Sequence, residues 1–210
     1  MTLSAVVSTL AKGGPVMIPL VVCSVLSLAV VLERVAFWWR ARGVGDSERA
    51  LELASAGKWV DAIGCARASR APQARVLAAG LEHREAGAAL AMEAAARGEV
   101  ARMRRALPVL DTIITLSPLL GLLGTVTGMI AAFGIMATTG IEQPTAITGG
   151  VAEALIATAA GLAIAIATLV PYNYFLGRAE RALDEIEGQG TRLELILGME
   201  RGMERGLESR

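Results

Sequence analysis

The chain of 210 residues has one histidine and two cysteines. His83 alone supplies neither an HExxH motif nor a cluster of imidazole ligands, and two thiols make neither a disulfide scaffold nor a four-thiolate zinc site. No metal and no other cofactor is expected. Neither sign of charge is in excess: 20 Lys and Arg balance 20 Asp and Glu, so no nucleic-acid-binding surface is expected. The glycine-rich stretch 121–128 lacks the lysine of a phosphate-binding loop. No histidine, lysine or second acid neighbours a candidate nucleophile there, and the chain is not expected to be an enzyme. What the sequence has in quantity is aliphatic: 54% of residues are hydrophobic and 23 more are glycine, which excludes intrinsic disorder.

Charge is also missing locally. None occurs over 13–32, none over 112–141, and between Glu142 and Arg178 the only charge is Glu153. A helix rises about 1.5 Å per residue, so roughly 20 apolar residues cross a hydrocarbon core of about 30 Å. The chain is therefore expected to be an all-α, polytopic membrane protein with three transmembrane helices, at 15–34, 111–138 and 147–175. The first is expected to be a retained span rather than a cleaved leader: no charge precedes Lys12, and the run ends in Glu33-Arg34 followed by Trp38-Trp39-Arg40, an aromatic belt with basic anchors.

Orientation follows from the basic residues. Residues 1–14 hold one, 33–110 hold 13, 139–146 hold none, and the tail from 176 holds six. Positive segments stay in the cytoplasm. The expected order is an external N-terminus (1–14), the first span, a cytoplasmic helical domain (35–110), the second span, a short outer loop (139–146), the third span and a cytoplasmic C-terminal helix (176–210). Cys23 then lies in the bilayer and Cys65 in a reducing compartment, so they do not pair.

The cytoplasmic segment reads as helices. Asp46-Ser47-Glu48 is a helix start, Gly57 punctuates, and Trp59, Ile63 and Ala66 share a face. Pro72 suits a first helical position. Ala, Glu and Arg dominate 86–107, which is expected to run on into the second span with no more than a kink at Pro108. His83 reads as an exposed residue. The tail alternates charge with Leu183, Ile186, Leu193 and Ile196, an amphipathic helix suited to bundling with neighbouring subunits.

The second and third spans carry the informative residues. Gly121, Gly124, Thr125, Gly128 and Ala132 fall at spacings of three and four, on one helix face. Ala154, Thr158, Gly161, Ala165 and Thr168 repeat the pattern. Small residues let helix backbones approach closely in lipid. Glu153 interrupts the apolar run. An acid inside a span is a functional-site hypothesis by default, and the alternative is an interfacial residue that snorkels or caps the helix. Neither neighbouring span offers a Lys or Arg to pair with it. Thr125 and Thr158 supply hydroxyls that donate and accept, or that bond their own preceding carbonyls.

Leu119-Leu120-Gly121-Leu122-Leu123-Gly124-Thr125-Val126-Thr127-Gly128, then Gly149-Gly150-Val151-Ala152-Glu153-Ala154-Leu155-Ile156-Ala157-Thr158-Ala159-Ala160-Gly161-Leu162, then Tyr172-Asn173, resemble the MotA/TolQ/ExbB proton channel family, most closely its ExbB/TolQ branch. The resemblance implies a ring, typically a pentamer, in the bacterial inner membrane, with long helices extending into the cytoplasm. It implies a pore holding the single spans of an ExbD- or TolR-like partner, which supplies a transmembrane Asp. It maps the proton pathway onto Glu153, Thr125 and Thr158. It also implies that proton flow energises a TonB- or TolA-like protein. The third span departs from the family by having Ala167 where a proline is common, with Pro171 one turn later. The alternatives are a flagellar-type, MotA-like stator subunit, which usually has four spans, and a membrane scaffold without ion flow.

Overall fold

A computed structural model describes residues 13–41, 43–139 and 144–208. Residues 1–12, with Lys12, and residues 140–143, with Glu142, where a short outer loop was expected, lie outside the described residues. Seven helices follow in order: α1 Met17–Arg40, α2 Val44–Ser55, α3 Trp59–Ala68, α4 Pro72–Glu82, α5 Ala88–Arg104, α6 Leu107–Thr139 and α7 Pro144–Glu208. The described residues contain no strand. Three helical stretches are long and apolar enough to cross a membrane, and they lie on α1, on α6 and on the first part of α7. Large apolar side chains face outward along them, among them Ile18, Val25 and Leu28 on α1, Leu119, Val126 and Ile130 on α6, and Leu155, Ile166 and Val170 on α7. In water so large an apolar surface would aggregate. In a bilayer it is solvated, and helices satisfy their backbone internally. The chain is a multi-pass membrane protein.

Two compact units share α1 and α7. One combines the chain through Glu33 with Ala106–Tyr174. Its core forms where Val16, Met17 and Leu20 of the first span meet Ala157, with Leu120, Ala160 and Ile164 against them. The other unit combines Arg34–Arg105 with Phe175–Arg210. Its centre is α4, where Pro72, Gln73, Ala74, Val76, Leu77, Ala78, Gly80 and Leu81 are all buried. Pro72 opens that helix at N1, where its missing N–H costs nothing. Gly57 turns the chain between α2 and α3 at φ +73°, a conformation that favours glycine.

Two local expectations need correction, and two further features add to the reading. The segment 86–107 does not run into the second span. Helix α5 stops at Arg104, Ala106 takes φ +65°, and α6 restarts at Leu107. Pro108 lacks the N–H that would bond the residue 104 carbonyl and its ring crowds that carbonyl, so the helix breaks there. Arg34, at the end of the first apolar run, has a structural role that the sequence did not announce. It is 1% exposed, donates to the carbonyls of Arg102 and Met103 at 3.0 and 3.2 Å, and so satisfies the exposed C-terminal end of α5. The third span and the tail form one long helix, as the expectation of helices extending beyond the spans has it: α7 continues unbroken through Pro171. Finally, the tail's apolar stripe is taken up by its own chain. Ile186, Leu193 and Leu197 are buried, and Leu193 and Met92 close on Gly80 so tightly that a Cβ there would lie 2.9 Å and 2.6 Å from them. Gln189 donates to Ser47 at 3.0 Å and Arg192 pairs with Glu48 at 2.8 Å, which fixes the register of the tail on α2. His83 is exposed, as expected.

Glu99 is a buried acid on α5, accepting from Arg102 at 2.7 Å and from Arg75 at 3.4 Å. Burial pushes its carboxyl above the ordinary value of 4.5, and the charge on Arg75 opposes this only in part. The folded protein therefore binds this proton more tightly than the unfolded chain does. The stabilisation is present below pH 4.5 and is lost as pH rises through the raised value. Glu99→Gln, neutral at every pH, is expected to match the wild type in acid and to exceed its unfolding temperature progressively above pH 4.5. Thermal melts across that range check it.

Candidate functional site

Helices α6 and α7 approach closely because glycine and alanine face each other along the whole contact. A Cβ at Gly121 would lie 3.0 Å from Thr158 Cα and 3.1 Å from the Ala157 carbonyl oxygen. At Gly124 it would lie 2.5 Å from Ala157 Cβ, and at Gly128, 3.0 Å from Ala154 Cβ. At Gly161 it would fall on the carbonyl oxygen of Ser117. The helices thus meet backbone to backbone, at a distance that only glycine allows on α6. In lipid, where neighbouring apolar side chains gain nothing by leaving water, this close contact is a main source of helix association.

Close approach also puts a hydroxyl across the seam. Thr158 Oγ1 donates to the carbonyl of Gly121 at 2.8 Å, a group already bonded within α6. Thr125 behaves differently: its hydroxyl donates to Leu122 of its own helix at 2.7 Å. That leaves its oxygen lone pairs to accept from elsewhere. The third site residue, Glu153, is half-buried and lies against Gly14, where its Oε1 occupies the position a Cβ would take. Gly14 has φ +71° and precedes α1, and its carbonyl accepts from the Met17 N–H at 3.1 Å. The carboxylate therefore sits at the N-terminal end of the first span, where unpaired N–H groups favour negative charge.

The helix register relates the three. Gly121 faces Ala157, Thr158 and Gly161, and Gly128 faces Gly150 and Ala154. In this antiparallel register Glu153 is separated from Thr125 by roughly two residues of rise, about 3 Å along the axis, and from Thr158 by five residues, about 7.5 Å. No hydrogen bond joins the three side chains directly. They are polar steps on one close-packed hairpin, with Glu153 as the acid. No group of three or more His, Cys, Asp or Glu that could hold a metal occurs among the described residues.

Two features escaped the sequence reading. One is the contact of Gly14 with Glu153. The other is a hydroxyl pair between α1 and α7. Ser27 and Thr168 are 7% and 1% exposed, with oxygens 2.7 Å apart. Thr168 gives its hydrogen to the Ile164 carbonyl, so Ser27 is the donor of the pair. Ser27, a hydroxyl in an otherwise apolar run, was the available clue.

The site is a helical hairpin of a membrane protein, closely packed through glycine, with one acid and two hydroxyls along it. Residues 68–188 match the MotA/TolQ/ExbB proton channel family. The chain is 38% identical over 204 residues to an ExbB-like biopolymer transport protein of Synechocystis sp., covering 88% of this chain and 76% of that one. It is 32% identical over 192 residues to the biopolymer transport protein ExbB of Salmonella typhimurium, covering 83% and 78%. Over 96 residues it is 44% identical to the Tol-Pal system protein TolQ of Pseudomonas aeruginosa, covering 45% and 41%. The chain belongs to this family, on its ExbB/TolQ branch.

Gly161→Ala is expected to destabilise the protein by about 1–3 kcal/mol, because the new Cβ must displace the Ser117 backbone rather than a flexible side chain. Gly98→Ala, in the interior of α5 with nothing within 4 Å of the new atom, is expected to stabilise it by up to about 1 kcal/mol through helix propensity alone. Unfolding of the detergent-solubilised protein measures both.

Proposed function

We propose that this protein is the proton-conducting subunit of an energy-transducing complex in the bacterial inner membrane, with Glu153 carrying the proton and Thr125 and Thr158 serving as hydroxyl steps beside it. The observation that carries the reading is Glu153 itself: a lone acid in an apolar span, level with a glycine-packed seam, in a member of a proton channel family. One acid per chain is too little for a complete relay. A single-span partner of the ExbD or TolR kind, with an Asp in its span, supplies the missing carboxylate. Copies of this chain form a ring around it, typically a pentamer, using the apolar faces of α6 and α7 that remain outward. The N-terminus is external, and the 35–110 segment and the tail are cytoplasmic, a placement that the distribution of Lys and Arg supports.

Each charge crossing the membrane potential releases about 2.3 kcal/mol per 100 mV, so a few protons per cycle suffice for mechanical work without ATP. The complex passes that work to a TonB- or TolA-like protein reaching the outer membrane. The relatives named for biopolymer transport and for the Tol-Pal system support this role. A second reading, a scaffold in which Glu153 is structural, draws on the contact with Gly14.

Glu153→Gln separates the two, since it keeps the shape and the contact but cannot ionise. The expected outcome is normal assembly with loss of proton-gradient-dependent activity in cells. Glu153→Asp keeps the acid with a shorter reach and is expected to retain part of that activity. The readouts are energy-dependent activity and complex abundance in the same membranes. A fully active Gln variant at normal abundance would make Glu153 structural.

A further inference from the structure

Helix α6 is 33 residues long and carries a single charge, Asp111. Its side chain is exposed, and the carboxylate makes no hydrogen bond or ion pair with any described residue. The helix begins at Leu107, so Asp111 lies past the first turn, where the unpaired N–H groups of a helix end favour an acid. In the proposed orientation it stands at the cytoplasmic end of the span, where the usual charged anchor is Lys or Arg. Neither helix-end electrostatics nor anchoring accounts for an acid at this position.

The helix period relates Asp111 to Thr125. The two are 14 residues apart, close to four turns of about 3.6 residues, so they share a face and are separated by about 21 Å along the axis. The interval between them is not purely apolar. Thr115, one turn from Asp111 on that face, is exposed, and its hydroxyl donates to the carbonyls of Asp111 and Thr112 at 3.2 and 3.0 Å. Its oxygen lone pairs remain to accept. Pro118 comes next on the face, inside the helix, and has no N–H to give to the carbonyl of Ile114. This side of α6 therefore presents a carboxylate, a hydroxyl, a backbone carbonyl short of its donor and then the Thr125 hydroxyl, all groups that order water.

We propose that Asp111 is the cytoplasmic terminus of the proton path. It takes the proton that leaves the Thr125 level through water ordered along this face, and it releases the proton to cytoplasmic water. The carboxylate gains a proton from a hydronium ion and returns it to water, so nothing else is consumed. The inference rests on the reading of this chain as a proton-conducting subunit. In a ring of copies, the Asp111 carboxylates circle one mouth of the path, and such rings concentrate cations.

The test uses the full chain in complex with its single-span partner, reconstituted in liposomes under an imposed potential, with proton flux followed by a pH dye. Flux is measured with dilute and with concentrated membrane-impermeant buffer on the cytoplasmic face and corrected for buffer capacity. In dilute buffer Asp111→Asn is expected to conduct about tenfold less than wild type, the lower end of what a ring of like charge does for the arrival of a counter-ion. Asp111→Ser, a second neutral variant, is expected to behave in the same way, and Asp111→Glu to conduct at close to the wild-type rate. Concentrated buffer stands in for the missing carboxylate as proton acceptor. It is expected to restore both neutral variants but not Glu153→Gln, which interrupts the path within the span. The native mass of each complex is expected to match wild type. Undiminished flux through the neutral variants in dilute buffer would overturn the inference, and so would a loss that neither Glu nor buffer repairs. Loss of the partner from both neutral variants would overturn it as well, by making Asp111 an assembly residue. In each of these cases block by Glu153→Gln leaves the proton-conducting reading standing. A wild-type complex that conducts no faster than the lipid leak would overturn that reading, and this inference with it.

Discussion

The distance between the backbones of α6 and α7 is the constraint on which the membrane unit rests. Glycine at 121, 124, 128 and 161 removes the side chains that would hold two helices apart. Without them, dispersion acts between backbones, and one hydroxyl, Thr158, reaches the carbonyl of Gly121. In a solvent where burial of apolar surface brings no gain, packing and interhelical hydrogen bonds are what remain. The Ser27–Thr168 pair does the same between α1 and α7. The three spans are joined by small residues and hydroxyls, while leucine, valine and isoleucine point outward.

The unit formed by Arg34–Arg105 and Phe175–Arg210 obeys the ordinary rules of water. Its central helix α4 is buried on nearly every side, and charged pairs cover the outside, as at Arg192–Glu48 and Arg67–Glu82. Such exposed pairs contribute about 0–1 kcal/mol each. Their use here is register: Arg192–Glu48 fixes which turn of the tail lies on which turn of α2, and Arg67–Glu82 ties α3 to the end of α4. The two buried ends that would otherwise be costly are resolved locally. Arg34 satisfies the last carbonyls of α5, and the chain escapes the clash at Pro108 by a single left-handed residue, Ala106.

Much of this was legible in the sequence because membranes impose coarse rules. Charge gaps of 20 and 30 residues leave few structures other than spanning helices. The spacing of Gly121, Gly124 and Gly128 named the seam, and the isolation of Glu153 singled out the acid. What was not legible depended on tertiary partners. An arginine after an apolar run reads as an anchor until the frayed end of α5 is seen beside it. Pro108 reads as a kink or a break with equal ease, since proline is tolerated in a first turn as well as within a kinked helix. The amphipathic tail announced that it would pack but not on what. Nothing in the spacing of residues 13–15 predicted that Gly14 would leave room for the carboxylate of Glu153.

The account's central claim is that the acid on this seam carries protons across the bilayer. Proton flux into liposomes holding the complex purified with its single-span partner, driven by an imposed potential and followed with an internal pH dye, tests it most directly. The account predicts flux above the lipid leak for the wild-type complex and flux at the leak level when Glu153 is replaced by Gln at equal protein content. Equal flux through both complexes would contradict it.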